Sequence, residues 1–328
     1  MNSQVARHHY VVNATSTSGL GNLTASIIGD LPIPPIDPNS QKIIADFLDC
    51  ETARLDQMLE KKQRLVALLG YKFESELARS VTIGRREQIP LSASTYAWEP
   101  PHPVHWREMP NRMIFRQKKR PVGSSHGDYP LLSLSKEGAI PRDVESGKGK
   151  FPSDFETYQA VMPGNIVLCL FDIDETPRTV GLSEHAGMVT GAYDVVEVLT
   201  TALPEFSYYR LLYLDYGKRL KPFYTGLRKV VRMPTFMGIR TPLPPLEEQR
   251  QIVDYLNATR DSLLDVERKT RDSIDRLREF RSALITAAVS GQLDVATWGK
   301  RGTIDRRLDK VEAQMAGAAP PKLTQAQA

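Results

Sequence analysis

Two stretches of this chain carry apolar residues at alternating spacings of three and four. In the first, Leu48, Leu55 and Leu69 fall on a seven-residue repeat, with Met58 and Val66 between them. In the second, Leu256, Leu263 and Leu277 do the same, with Val266 and Ile274 between them. Each stretch follows a double proline, Pro34-Pro35-Ile36 and Pro244-Pro245-Leu246, and each then runs on without proline for about forty residues. From Phe47 onward the two align without a gap at an offset of 208: Phe47 falls on Tyr255, Leu48 on Leu256, Leu55 on Leu263, Val66 on Ile274 and Val81 on Val289. At the entry the double prolines stand 210 apart, so the register is expected to slip around Pro38-Asn39-Ser40. A duplication of this kind fixes architecture before any single residue does. The period predicts two long helices whose stripes pair as an antiparallel coiled coil. Forty residues of helix reach roughly 60 Å. The expected seam is Leu48, Leu55, Met58, Val66 and Leu69 against Leu256, Leu263, Val266, Ile274 and Leu277. Lys62 and Thr270 interrupt it at equivalent points, and a polar group in a seam can set register.

Between the helices, residues 85–240 carry shorter signals. Ile166-Val167-Leu168-Cys169-Leu170-Phe171 reads as a buried strand introduced by the turn Met162-Pro163-Gly164-Asn165, and Val195-Val196-Glu197-Val198 reads as another. Phe206, Tyr209, Tyr213 and Tyr216 recur at helical spacing and read as core rather than as a platform for stacking bases. The fold class expected is α+β: one domain of short strands and helices, carried on a long two-helix coiled coil.

The chain has 328 residues, 41% hydrophobic and 25% charged, with a net charge of +4. That excess does not by itself indicate a nucleic-acid partner, and the distribution of charge matters more. Basic residues cluster in the expected loops of the middle domain: Arg116-Gln117-Lys118-Lys119-Arg120, Lys148-Gly149-Lys150, Lys218 with Arg219 and Lys221, and Arg228-Lys229 with Arg232. Loop Lys and Arg neutralise phosphates, and Arg also reads guanine through two parallel hydrogen bonds. An ordinary solvated surface is the alternative for each cluster taken singly. Cys50 and Cys169 form neither a disulfide framework nor a zinc motif, which fits a reducing cytoplasm. No apolar run approaches the ~18 residues of a membrane span, and the N-terminus has no signal-peptide core.

Catalytic motifs are missing from the sequence. It contains neither a Gly-x-x-x-x-Gly-Lys-Ser/Thr nucleotide loop nor an Asn/Asp-Pro-Pro-Tyr/Phe run for a flipped adenine. Glu60-Lys61-Lys62 matches the end of a nuclease motif but lies on the first helix, where it reads as a surface pair. Ser124-Ser125-His126, His102 and His105 lack a nucleophile–base–acid frame. Asp172, Asp174 and Glu175 are the one acidic group suited to a hard cation, without a further ligand spaced to complete a site. His8-His9 has no partner cluster, and Gly19-Leu20-Gly21 reads as a turn.

The wording of the repeat carries a resemblance. Pro242-Leu243-Pro244-Pro245-Leu246-Glu247-Glu248-Gln249-Arg250-Gln251-Ile252-Val253 resembles the start, and Ala283-Leu284-Ile285-Thr286-Ala287-Ala288-Val289-Ser290-Gly291-Gln292-Leu293-Asp294-Val295 the exit, of a conserved helical region in specificity subunits of Type I restriction–modification enzymes. Phe47-Leu48-Asp49, Glu51-Thr52-Ala53-Arg54-Leu55-Asp56 and Lys61-Lys62-Gln63-Arg64-Leu65 are similar to characteristic runs of that family's central region. The resemblance implies a division into a remnant of a first target recognition domain (1–30), a central helical region (31–84), one intact recognition domain (85–240) and a distal helical region (241–298), while residues 299–328 read from their composition as a charged, then disordered tail.

It implies a non-catalytic subunit that reads one half of a bipartite site in double-stranded DNA. Modification subunits would dock on its helices, and a restriction subunit would complete the assembly. S-adenosylmethionine, ATP and magnesium would belong to those partners, and this chain would hold no cofactor or metal. A self-dimer is the alternative to a monomer bound to its modification subunit. The family places a glycine-containing, DNA-facing loop where Tyr224-Thr225-Gly226-Leu227-Arg228-Lys229 stands. That makes Thr225, Gly226, Arg228 and Lys229 candidates beside Arg116, Lys118, Lys119, Arg120, Lys148 and Lys150. A coiled-coil adaptor that does not touch DNA, an enzyme with an unrecognised site, and an inactive fragment of a split specificity gene remain as rival readings.

Overall fold

The computed structural model describes residues 4–16, 21–22, 24–30, 36–86, 88–142, 155 and 157–295. The chain divides into two compact units, one of residues 1–67 with 267–328 and one of residues 68–266. The helices and strands in order are α1 (Gln4–Asn13), β1 (Thr15–Ser16), β2 (Gly21–Asn22), α2 (Ala25–Gly29), α3 (Pro38–Thr82), β3 (Leu91–Ser92), β4 (His102–Pro103), β5 (Arg107–Pro110), β6 (Phe115–Lys118), β7 (Leu132–Ser135), β8 (Gly138–Pro141), β9 (Gln159–Val161), β10 (Ile166–Leu168), β11 (Val180–Leu182), β12 (Gly187–Val189), β13 (Asp194–Val198), α4 (Pro204–Tyr216), α5 (Met233–Gly238), β14 (Arg240–Leu243) and α6 (Leu246–Val289). The fold is α+β, with short antiparallel strands and two long helices.

Those helices are α3, of 45 residues, and α6, of 44. Each stops at a glycine in the left-handed region, Gly84 (φ 76°) and Gly291 (φ 74°), the residue type that adopts this conformation without a Cβ penalty. They also start in register. Pro38 and Leu246 keep the 208 offset, and Gln41 Nε2 donates to the Ile36 carbonyl (2.7 Å) as Gln249 Nε2 donates to the Pro244 carbonyl (2.8 Å). The slip expected from the double prolines therefore does not occur as far back as Ile36. A conserved side-chain bond, rather than proline position, defines the equivalent entry.

In the first unit the two helices run antiparallel. Phe47 packs with Ala288 and Val295, and further along Asp56 receives Arg281 Nε at 2.9 Å. Leu55, Thr270 and Ile274 are buried, while Met58 is 39% exposed. The outward position of Met58 corrects its place in the expected seam. A two-helix contact buries only a narrow strip, so a position at its edge stays wet. A groove of about 430 Å³ is lined by Gln63, Val66, Arg271, Ile274, Asp275 and Arg278. Residues 1–30, read from sequence as irregular, include the helix α1, with His9 Nε2 2.9 Å from the Ile27 carbonyl of α2. Gly19 and Leu20 lie outside the described residues, as does the tail after Val295.

In the second unit one core joins helix ends to strands. Leu77 and Val81 of α3 and Ile252, Val253 and Leu256 of α6 share it with Ile166, Leu168, Val196, Phe206, Tyr209 and Phe236. The last turns of α3 and the first turns of α6 thus belong to the same body as residues 85–240. Val266, at 40% exposed, departs from the expected seam as Met58 does. The sheet has four strands in the order β11-β10-β13-β6, all antiparallel, with Val167 facing Val195. The tyrosine stripe of α4 is core at Phe206, Tyr209 and Tyr213, while Tyr216 at its end is 38% exposed.

The join between α4 and α6 is polar. Gln249 is fully buried, accepts from the Leu203 amide (2.8 Å) and donates to the Pro244 carbonyl. Its neighbour Glu248 accepts from Trp106 Nε1 (3.2 Å) and lies 2.7 Å from His105 Nε2. These buried groups come from the Pro-Leu-Glu-Glu-Gln run, and each finds a partner, as burial requires.

Candidate nucleic-acid interface

The turn at residues 224–231 is built by backbone bonds. Thr225 and Val230 exchange amide–carbonyl bonds at 2.9 and 3.0 Å, and the Lys229 amide donates to the Gly226 carbonyl at 3.2 Å. Gly226 (φ 68°) and Lys229 (φ 46°) both lie in the left-handed region; Gly226 enters it at no steric cost and has open space around it. Leu227 at the apex is fully exposed.

A second segment lies against this turn. Beyond β10 the chain runs through Leu170 and Phe171 and reverses at Asp172, whose φ is 46°. The Asp172 amide donates to the Arg228 carbonyl (2.8 Å), and the Val231 amide donates to the Leu170 carbonyl (2.9 Å). Side chains continue the match. Arg228 Nε donates to Asp172 Oδ1 and Oδ2 at 3.3 and 3.2 Å, and Nη2 donates to Oδ2. Lys229 Nζ reaches Glu175 Oε1 at 2.8 Å and Asp174 Oδ2 at 3.1 Å. The Tyr224 hydroxyl donates to Asp174 Oδ1 at 3.1 Å. The guanidinium of Arg228 lies 5.1 Å from the centre of the Phe171 ring.

The carboxyls of Asp172 and Asp174 are shifted accordingly. The bond from Arg228 holds Asp172 below the usual aspartate range, and the bond from Lys229 does the same for Asp174. Asp172 raises Arg228, the bonds to Glu175 and then Asp174 raise Lys229, and burial followed by the bond to Asp174 raises the Tyr224 phenol.

The acidic group weighed from sequence as a cation site is thus matched to the turn. Arg228 and Lys229, expected to project free charge, are clasped instead. Sequence reading missed the match because Asp172 and Arg228 stand 56 positions apart, and only the packing of the segment after β10 against the turn brings them together.

The other basic candidates are placed differently. Arg116 and Lys118 lie on β6, the edge strand, rather than in a loop, with Lys119 and Arg120 just beyond it. Lys118 Nζ meets Glu197 Oε2 at 2.7 Å on the neighbouring strand. A run without β-branched residues does not read as a strand, yet charge suits a sheet edge because it discourages pairing with another chain. Lys148 and Lys150 lie outside the described residues. Lys218 is spent on structure, bonding Asp215 (2.8 Å) and the Thr176 carbonyl (2.9 Å), and Arg219 lies over the Tyr213 ring.

His126 stacks on Phe155, and His105 Nε2 lies 2.7 Å from Glu248 Oε2. Among the described residues no group of three His, Cys, Asp or Glu side chains is arranged to hold a metal ion, and no helix is long and apolar enough to cross a membrane.

No protein-family model matches the sequence, and no curated protein does. Solved structures do match. The HsdS subunit from Thermoanaerobacter tengcongensis aligns over 89% of this chain and 68% of its own length, with 16% identity and a TM-score of 0.51. A chain from work on complex assembly and conformational transition of the type I R-M system aligns over 89% of this chain and 69% of its own, with 16% identity and a TM-score of 0.66. At this identity the likeness speaks for architecture. The chain has the fold of the HsdS subunit, the specificity subunit of Type I restriction–modification systems that its repeated helices resemble.

Proposed function

We propose that this chain is a sequence-specific DNA-recognition subunit of a Type I restriction–modification complex and carries no catalysis of its own. The observation that carries the reading is the fold likeness over 89% of the chain, together with the duplicated helices that first suggested it. In this reading the domain between the helices reads a half-site in double-stranded DNA, with the turn at residues 225–229 among its contacts. The helices are the docking surface for modification subunits. Exposed apolar residues on both, Met58, Leu65, Leu68 and Tyr71 on α3 and Leu264, Val266 and Phe280 on α6, support a helix-seeking partner. S-adenosylmethionine, ATP and magnesium would act in the modification and restriction subunits.

The test is selection from a randomised duplex pool by the full chain with its modification subunit, followed by titration of the enriched duplex at several salt concentrations. Enrichment of one defined half-site, with affinity that falls as salt rises, is the expected result. A pool that stays random while the complex assembles normally would support the adaptor reading and overturn this one.

A further inference from the structure

The clasp between the turn and the segment after β10 has a specific geometry. A guanidinium offers five N–H donors in a fixed plane. Asp172 takes the edge formed by Nε and Nη2. The opposite edge, Nη1 with the outer hydrogen of Nη2, presents two parallel donors, and no protein acceptor meets Nη1 among the described residues. The side chain is 68% exposed, so that edge is accessible to a ligand. Two parallel donors in one plane match guanine O6 and N7 in the major groove.

We propose that Asp172 is a positioning residue that holds Arg228 by one edge so that the other reads a guanine in the major groove. The proposal rests on the DNA-recognition reading above and assigns this arginine its base and this aspartate its role. The placement of Asp172 does not depend on the ion pair itself. The backbone bonds between Asp172 and Arg228 and between Val231 and Leu170 hold the two segments together, and the Phe171 ring limits where the guanidinium can swing. An arginine ordered before binding loses less rotamer freedom on contact. The carboxylate also offsets the arginine's attraction for phosphate, which every DNA sequence offers. Asp172 therefore favours discrimination over raw affinity, a signature that a purely structural aspartate lacks.

Asp172→Asn is the informative variant, since asparagine tolerates the left-handed backbone at this position and keeps the side-chain shape. Arg228→Lys keeps the charge but removes the fork. The probe is a randomised duplex pool presented to the full chain with its modification subunit, scored position by position, with affinity for scrambled duplex measured alongside. The wild type is expected to prefer guanine at one position, and both variants to lose that preference at the same position by roughly tenfold. Asp172→Asn is expected to bind scrambled duplex as well as wild type or more tightly, with an unchanged salt slope, and Asp172→Asn combined with Arg228→Lys should lose no more than Arg228→Lys alone.

If Arg228→Lys relaxes one position and Asp172→Asn relaxes none, the positioning role is overturned while the recognition reading stands. If Asp172→Asn weakens all sequences equally, or its amide spectrum shows the turn displaced, the role is structural and the proposal fails. If the wild type selects a half-site and Arg228→Lys leaves every position intact, the turn does not read a base. If the wild type selects nothing, the recognition reading fails first.

Discussion

The repeat supplies its own control for the energetics of the helix entry. Gln249 and Gln41 occupy equivalent places and make the same bond to a carbonyl five residues back. Gln249 is fully buried and also accepts the Leu203 amide, tying the start of α4 to the start of α6, whereas Gln41 is exposed. Replacing each by methionine keeps the length of the side chain and removes its amide. At position 249 the change orphans the Leu203 N–H and the buried Pro244 carbonyl. A buried polar group left unpaired costs about 1–3 kcal/mol, with carbonyls nearer the low end, so Gln249→Met should cost about 2–4 kcal/mol. At position 41 water replaces the lost partner and the change should stay within about 0.5 kcal/mol. For a folding unit of this size 1 kcal/mol moves the midpoint by about 2–4 °C, so thermal melting should separate the variants by roughly 5–15 °C. Equal shifts at the two positions, or a loss below about 1 kcal/mol at Gln249, would refute the claim that burial rather than the bond itself makes this residue structural.

The helix exits make a second pair. Gly84→Ala sets a Cβ 2.9 Å from Glu248 Oε1 in left-handed backbone and should destabilise by more than the about 1–2 kcal/mol that conformation costs, whereas Gly291→Ala, with open space around it, should lose only that; urea melts of the two variants decide. On the seam, Leu55→Asp should lose about 3 kcal/mol or more by burying an unpaired charge, while Met58→Asp should change stability by less than about 1 kcal/mol; comparable losses would mean that the burial pattern of α3 is drawn wrongly. The carboxyls of Asp172 and Asp174 sit below the usual range in the folded chain, so their contribution is complete above the ordinary aspartate value near 3.9 and fades as pH falls through the depressed folded value. Amide shifts of residues 226–230 should therefore stay constant from neutral pH down to about 4 and move only below it, and a transition above about pH 5 would contradict the clasp. Of the two thiols, exposed Cys50 should react with a thiol reagent in the native chain, whereas Cys169, buried and with its thiol pushed up by that burial, should wait for unfolding.

What the sequence determined by itself was the long-period architecture. A seven-residue apolar repeat, copied at a fixed offset and free of proline, leaves few alternatives to two paired helices, because side-chain direction in a helix follows from spacing alone. Hydrophobic runs such as Ile166–Leu168 and the tyrosine stripe of α4 were legible for the same reason: burial acts on residues close in sequence. The tertiary structure decided what distant residues do to one another. The edge position of Arg116 and Lys118 depends on which strands pair. Gln249 differs from Gln41 only because a domain covers one helix entry. The neutralised turn exists because a segment 56 residues upstream packs against it, and charge pairing at that separation leaves no period or motif to read. Local chemistry was visible in the chain; its partners required the fold.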